Sequence, residues 1–248
     1  ERFFFGMKML LLLIWLVLPV PHLNAQPSFF IGSAFEPPVS TPAQEGIVDR
    51  IVVEAFARLG REAVITHLPA ERSLLSASSG INDGDLIRVD GLQNDYPDLV
   101  QVHEQLIDFE FVAFSKNPQI RMNDWEDLSG YSVGIVRGWK ILEEKAVHSR
   151  LTKVDSLKLL FTLLEKDRAD LVIYERLAGL HASETMQLRD IFQTSLPLKV
   201  QPMYLYLHRS HGDLVEPLVT VLKTMKQDGT FQRIFANRLS TLAVGETQ

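Results

Sequence analysis

Hydrophobic positions fall into short runs and helical stripes that alternate along the chain. Ser28 to Ala34 (SFFIGSA) is apolar for about the length of a buried strand, and Phe35-Glu36-Pro37-Pro38 reads as the loop after it. From Gly46 to Leu59, the residues Ile47, Ile51, Val52, Ala55, Phe56 and Leu59 recur at helical spacing, and Gly60 supplies a C-terminal stop. Glu62 to His67 is the next strand. A second helix opens at Pro69, which is tolerated in a first turn, and Gly80, Asp83 and Gly84 end it. Asp85 to Val89 and Leu99 to Val102 are short and strand-like. Phe109 to Phe114 (FEFVAF) is a β-rich run that closes the first block.

From Trp125 a clearer alternation begins. Tyr131 to Val136 reads as a strand, with a helix beginning at Gly138. Thr152 to Val154 is a short strand, and Ser156 to Lys166 a helix striped by Leu157, Leu160, Leu163 and Leu164. Ala169 to Tyr174 is a strand and Glu175 to Ser183 a helix. This alternation predicts parallel sheets covered on both faces. Met203 to Leu207 then forms a strand. Leu214 to Met225 forms an amphipathic helix, and a last helix follows the break at Asp228-Gly229.

Ahead of this pattern, Lys8 leads into the apolar run Met9 to Leu18, and small residues approach Ala25. A charged start, a short apolar stretch and a small residue at a cleavage point describe a secretory signal peptide, expected over 1–25 with Glu1 to Gly6 as upstream residues. An uncleaved anchor is the alternative. Without residues 1–25, 30 acidic residues face 23 basic ones. That balance argues against a nucleic-acid partner, because phosphate contacts need clustered Lys and Arg. The chain has no cysteine, which excludes disulfides, thiolate zinc sites and thiol nucleophiles. It also removes the acceptor of a lipid anchor, so a free periplasmic protein is expected.

The order of these pieces resembles the periplasmic solute-binding proteins of ABC importers, in the family-3 group of polar amino-acid binders. The likeness rests on the opening strand with Glu36-Pro37-Pro38, the Gly80 to Asp85 turn and the run Leu128 to Gly138 (LSGYSVGIVRG). Ala169 to Tyr174 (ADLVIY) and Asp228-Gly229-Thr230-Phe231 complete it. The resemblance implies an α/β, periplasmic binding protein-like type II fold, two α/β lobes joined by two hinge strands. Lobe 1 would comprise 26–112 and 206–248, lobe 2 would comprise 117–201, and the hinges 113–116 and 202–205. A small polar solute, an amino acid or related organic acid, would bind between the lobes. An ABC permease in the inner membrane would be the partner of a monomeric binding protein.

Candidate site residues follow. Arg137-Gly138-Trp139 succeeds a strand and opens a helix, where backbone N–H groups can meet an anion; an ordinary strand–helix turn is the plain alternative. The resemblance implies that Glu175 receives a ligand ammonium group; the alternative is a favourable acid at a helix N-terminus. Arg72 and Arg88 could clamp a carboxylate, or pair with Glu71 or Asp85 as structural ions. Phe35 and Trp139 could stack on a ligand and Tyr174 could donate its hydroxyl, although aromatic residues also serve as core. Glu36 would face the cleft or be a loop acid. Amino-acid binders of this family carry a Thr-x-x-Arg segment where this chain has Gly91 to Tyr96 (GLQNDY), leaving open whether the ligand is an α-amino acid.

The seven histidines show no HExxH spacing, and neither Gly-x-Ser-x-Gly nor a phosphate-binding Gly-Lys-Ser/Thr loop is present. No metal, cofactor or catalysis is expected. Two other readings stay open: a ligand-sensing module for a membrane receptor, and a dehydratase-like enzyme with Glu175 as proton donor.

Overall fold

The computed structural model describes residues 27–147 and 149–244, so the expected signal peptide, with His22, and His148 lie outside the described residues. In the first half, β1 (Phe29–Ser33) leads to α1 (Ile47–Arg58), β2 (Ala63–His67), α2 (Ala70–Ser78), β3 (Gly84–Arg88) and β4 (Leu99–Gln101). The apolar stripe of α1 faces inward, with Ile47, Ile51, Val52, Ala55 and Phe56 all buried. Beyond the end of α1, Gly60 takes φ 67°, a left-handed turn that a residue without Cβ adopts at little cost. The long strand β5 (Ile107–Ser115) then leaves this half.

The second half holds β6 (Ser132–Val136), α3 (Lys140–Lys145), β7 (Arg150–Val154), α4 (Leu157–Glu165), β8 (Leu171–Glu175), α5 (Arg176–Thr185) and β9 (Phe192–Gln193). The Ser156 hydroxyl caps α4 by accepting from the Leu159 N–H at 3.3 Å. The chain returns along β10 (Lys199–His208) and ends in α6 (Val215–Gln227) and α7 (Thr230–Val244), which pack beside α1.

The strands lie in the order β2-β1-β3-β10-β5-β8-β6-β7, with β4 added to β10 and β9 to β5. Pairing is parallel where β1 meets β2 and β3, and where β6 meets β7 and β8. The expected parallel pairing holds within each half, whereas β5 and β10 enter both halves antiparallel. Tyr204, Tyr206 and Leu207 of β10 pair with β3, whereas its residues Lys199 to Met203 pair with Phe111 back to Ile107 of β5. Phe111 to Phe114 of β5 continue onto β8. The two lobes are thus joined by a two-stranded ribbon. β10 starts earlier than its apolar run, because Lys199 and Val200 are exposed and owe their extended form to pairing with β5.

No helix among the described residues is long and apolar enough to cross a membrane.

Candidate functional site

The lobes meet where the turn after β6 reaches the first turn of α2. Gly138 has φ 85°, and a Cβ there would come within 2.8 Å of the Glu71 amide nitrogen and 3.1 Å of the Ala70 Cβ. Only glycine fits both the backbone conformation and this close approach. The next residue, Trp139, is 5% exposed and fills the space behind the turn. Its ring centroid lies 5.1 Å from Phe35, 6.1 Å from Phe109, 5.7 Å from Phe111 and 4.7 Å from Tyr174. Phe35 comes from the loop after β1, Phe109 and Phe111 from the ribbon, and Tyr174 from β8. Lys140 bridges the lobes beside them through a 3.2 Å ion pair with Glu71.

Little open space remains around the Trp139 ring. The pocket lined by Phe35, Ile87, Arg88, Gly138, Trp139 and Met203, among others, holds about 30 Å³. That is room for about a water molecule.

The charged groups around this pocket are already engaged. Arg88 is 8% exposed; its Nε donates to Asp85 Oδ2 at 2.6 Å and its Nη2 to the Ala70 carbonyl at 2.9 Å. Ser73 donates to the other Asp85 oxygen at 2.6 Å. The structural alternative for Arg88 is the arrangement found. Ile87, between these two partners, takes φ 61°, a strained conformation for a β-branched residue that costs about 1–3 kcal/mol.

The backbone N–H of Gly138 is also taken, since it donates to Glu143 Oε1 at 3.1 Å. The helix after it begins at Lys140 and is six residues long. Either an external anion or an ordinary strand–helix turn was expected here; in the structure the chain's own carboxylate accepts from the Gly138 N–H. Burial works against the Glu143 charge, yet the Gly138 N–H and Lys153 hold its carboxyl below the usual glutamate value.

Glu175 is 2% exposed and caps α5, accepting from the Leu177 and Ala178 N–H groups at 3.0 and 2.8 Å. Burial raises its carboxyl to about 7, against the lowering effect of those two N–H bonds. A value near neutrality suits a general acid, but both oxygens are committed to backbone. Tyr174, 1% exposed, has no hydrogen-bond partner for its hydroxyl among the described residues, and burial pushes that hydroxyl well above the usual phenol value.

The remaining candidates do not line this small pocket. Arg137 is exposed and pairs with Asp155 at 3.0 Å, and Arg72 is exposed on α2. Glu36 lines a second recess between the lobes, of about 280 Å³, with Pro37 on its own side and Leu157, His181 and Met186 on the other. The structure therefore brings together Phe35, Arg88, Gly138, Trp139 and Tyr174, leaves Arg72 and Arg137 exposed on the first turn of α2 and the turn after β6, and sets Glu36 on a second interlobe recess. Sequence reasoning missed Phe109, Phe111 and Lys140. The alternation Phe109-Glu110-Phe111 did carry a signal, since period two puts both rings on one face of a strand. Among the described residues, no group of three or more His, Asp or Glu is placed to hold a metal ion.

No family model matches the chain. Solved structures share its architecture at low sequence identity. The ligand-binding core of GluR0 in complex with L-glutamate superposes with a TM-score of 0.77 at 12% identity, over 87% of this chain and 100% of that one. A histidine kinase sensor domain with similarity to periplasmic binding proteins gives 0.76 at 15% identity, over 86% and 96%. A mutant of ArgBP from T. maritima gives 0.73 at 19% identity, over 86% and 95%. These likenesses establish the type II periplasmic binding protein fold. A sequence relative is an uncharacterized protein of Shewanella oneidensis MR-1, 30% identical over 190 residues, which span 74% of this chain and 72% of that protein. On that identity and coverage, the chain belongs to the same family as the Shewanella protein.

Proposed function

We propose that this protein is a periplasmic capture protein that closes its two lobes around a small organic solute, as the binding subunit of an ABC importer. The observation that carries the reading is the lobe contact itself: Gly138, Trp139 and Lys140 of one lobe seat against Phe35, Ala70 and Glu71 of the other. Such a contact, bridged only by a two-stranded ribbon, is the geometry of hinge closure over an interlobe ligand. Membership of the family-3 binders is part of this proposal, as are the lobe bounds 26–112 with 206–248 and 117–201. Strand pairing supports a crossing at Ile107–Phe111 and Lys199–Met203, which overlaps the expected hinges at Pro202 and Met203. A leader over 1–25 would deliver the chain to the periplasm, where a permease would receive it.

The test has two steps. A thermal-shift screen of the purified protein against amino acids, organic acids, polyamines and small sugars reads ligand capture; at a hundredfold excess over Kd, stabilisation of about 2.7 kcal/mol is expected. Cross-linking in membranes of the source cell then reads the partner. A permease subunit supports the importer role. A kinase or other receptor in its place moves the protein to the sensing role, for which the sensor-domain likeness is the motive.

A further inference from the structure

The polar and aromatic halves of the interlobe site are in different states. Three polar groups that could grip a charged solute here are held by the chain: Arg88 by Asp85, the Gly138 N–H by Glu143, and Glu175 by the start of α5. The aromatic groups, in contrast, enclose a guest. Phe35, Phe109, Phe111 and Tyr174 surround the Trp139 indole, which meets Phe109 nearly face-on at 21° and Phe35 and Phe111 edge-on at 63° and 83°. Aromatic rings favour such offset and edge-to-face contacts, so the walls are shaped for a flat ring. With about 30 Å³ left open in this pocket, no solute enters it while the indole is in place.

Two features make the indole a removable guest. It sits on the short turn before a six-residue helix, with no side-chain cap at that helix start. Beside it, the buried Tyr174 hydroxyl has no partner among the described residues, an arrangement that a protein interior seldom leaves unanswered. A newcomer must replace the four ring contacts that Trp139 gives up, and it gains if it also offers an acceptor to Tyr174.

We infer that the Trp139 indole stands in the ligand's own place, and that the ligand is a small planar ring compound bearing a hydrogen-bond acceptor for Tyr174. This inference deepens the capture reading and rests on it. Binding then proceeds by exchange: the ring enters as the lobes part, and Trp139 moves out to water.

The experiment uses the full chain with Trp15→Phe and Trp125→Phe, leaving Trp139 as its sole tryptophan, and follows emission during titration. The ring probes are 4-hydroxybenzoate, nicotinate and indole-3-acetate; the non-ring probes are L-glutamate, L-arginine and putrescine. The expected result is saturable binding of at least one ring probe with a red shift of Trp139 emission. Tyr174→Phe should weaken that binding about tenfold. Trp139→Ala, followed by calorimetry, should tighten it by about tenfold or more, because the internal competitor is gone.

Ring-probe binding with Trp139 emission unmoved overturns the exchange, and so does binding seen only in Trp139→Ala. Binding of non-ring probes alone overturns the ligand class and leaves the capture reading standing. Silence of every probe with both the parent and Trp139→Ala removes both.

Discussion

The loop that carries Phe35 and the turn that carries Trp139 face each other across the cleft, yet they are held by different means. The first runs from residue 34 to 46 and is tied down from within. Asp49, buried on α1, accepts from the Thr41 and Gly46 N–H groups at 2.7 and 2.9 Å and from the Ser40 hydroxyl. Ser33 adds a 2.9 Å bond to Ser40, and the Ile47 and Val48 N–H groups bond back to Pro38 and Val39. The second is a turn of a few residues before a six-residue helix, whose backbone is tied by one Glu143 carboxylate and the fit of Gly138 and whose remaining hold is the packing of the Trp139 ring. A helix that short has little stability of its own. One wall of the cleft is therefore preset and the other adjustable, which is a workable division for a site that must both recognise and let go.

Substitutions can break this comparison from either side. The largest effect should come from Asp49→Ala, which strands two backbone N–H groups and a buried hydroxyl; a loss of about 4 kcal/mol in a urea melt is expected. A loss under about 1 kcal/mol would mean the loop is not held as described. Trp139→Ala should cost about 3 kcal/mol, toward the low end for a buried aromatic, because the adjustable turn can settle into part of the space. A cost well above that of Asp49→Ala would reverse the assignment of rigid and soft walls.

Glu175 gives a pH signature on the soft side. Its value of about 7 in the fold lies above the ordinary 4.5, so the folded state holds its proton more tightly. Its contribution is fully present below about pH 4.5 and is lost as pH rises through about 7, amounting to about 3 kcal/mol. Glu175→Gln should flatten that part of the stability profile between pH 4.5 and 8; an unchanged slope would point to another group.

Gly138→Ala should destabilise by about 2 kcal/mol through its left-handed backbone and should also push the lobes apart. X-ray scattering would show a larger radius of gyration, and an unaltered one would mean the neighbouring helix gives way instead. The smallest effect belongs to Lys140→Ala: its pair with Glu71 is about two-fifths exposed on both sides, so under about 1 kcal/mol is expected, vanishing at high salt.

Much of the fold could be read from periodicity. The stripe from Ile47 to Leu59 and the Leu-rich stretch after Ser156 both became helices within a residue or two of their expected bounds. The antiparallel ribbon could not, because strand direction depends on partners far away in the chain, as with Phe111 against Lys199. The site was legible in three of its five aromatic members, with Phe109 and Phe111 missed, and opaque in its charges. Phe35, Trp139 and Tyr174 are apolar enough that burial follows from their type. Whether Arg88 faces a ligand or Asp85 depends on how the backbone bends at Ile87, which no local pattern announces.

That bend has a bearing on how the family can change. Asp85 is fully buried and answered by Arg88 and Ser73, so replacing Arg88 alone would leave a charge stranded in the interior. The two positions are bound to drift together: lineages that give up Arg88 should give up Asp85 in the same step, or acquire a new cation first. Diversity should instead gather at Lys140, whose exposed pair with Glu71 can be lost at little cost, and at Trp139 where another ring takes its place.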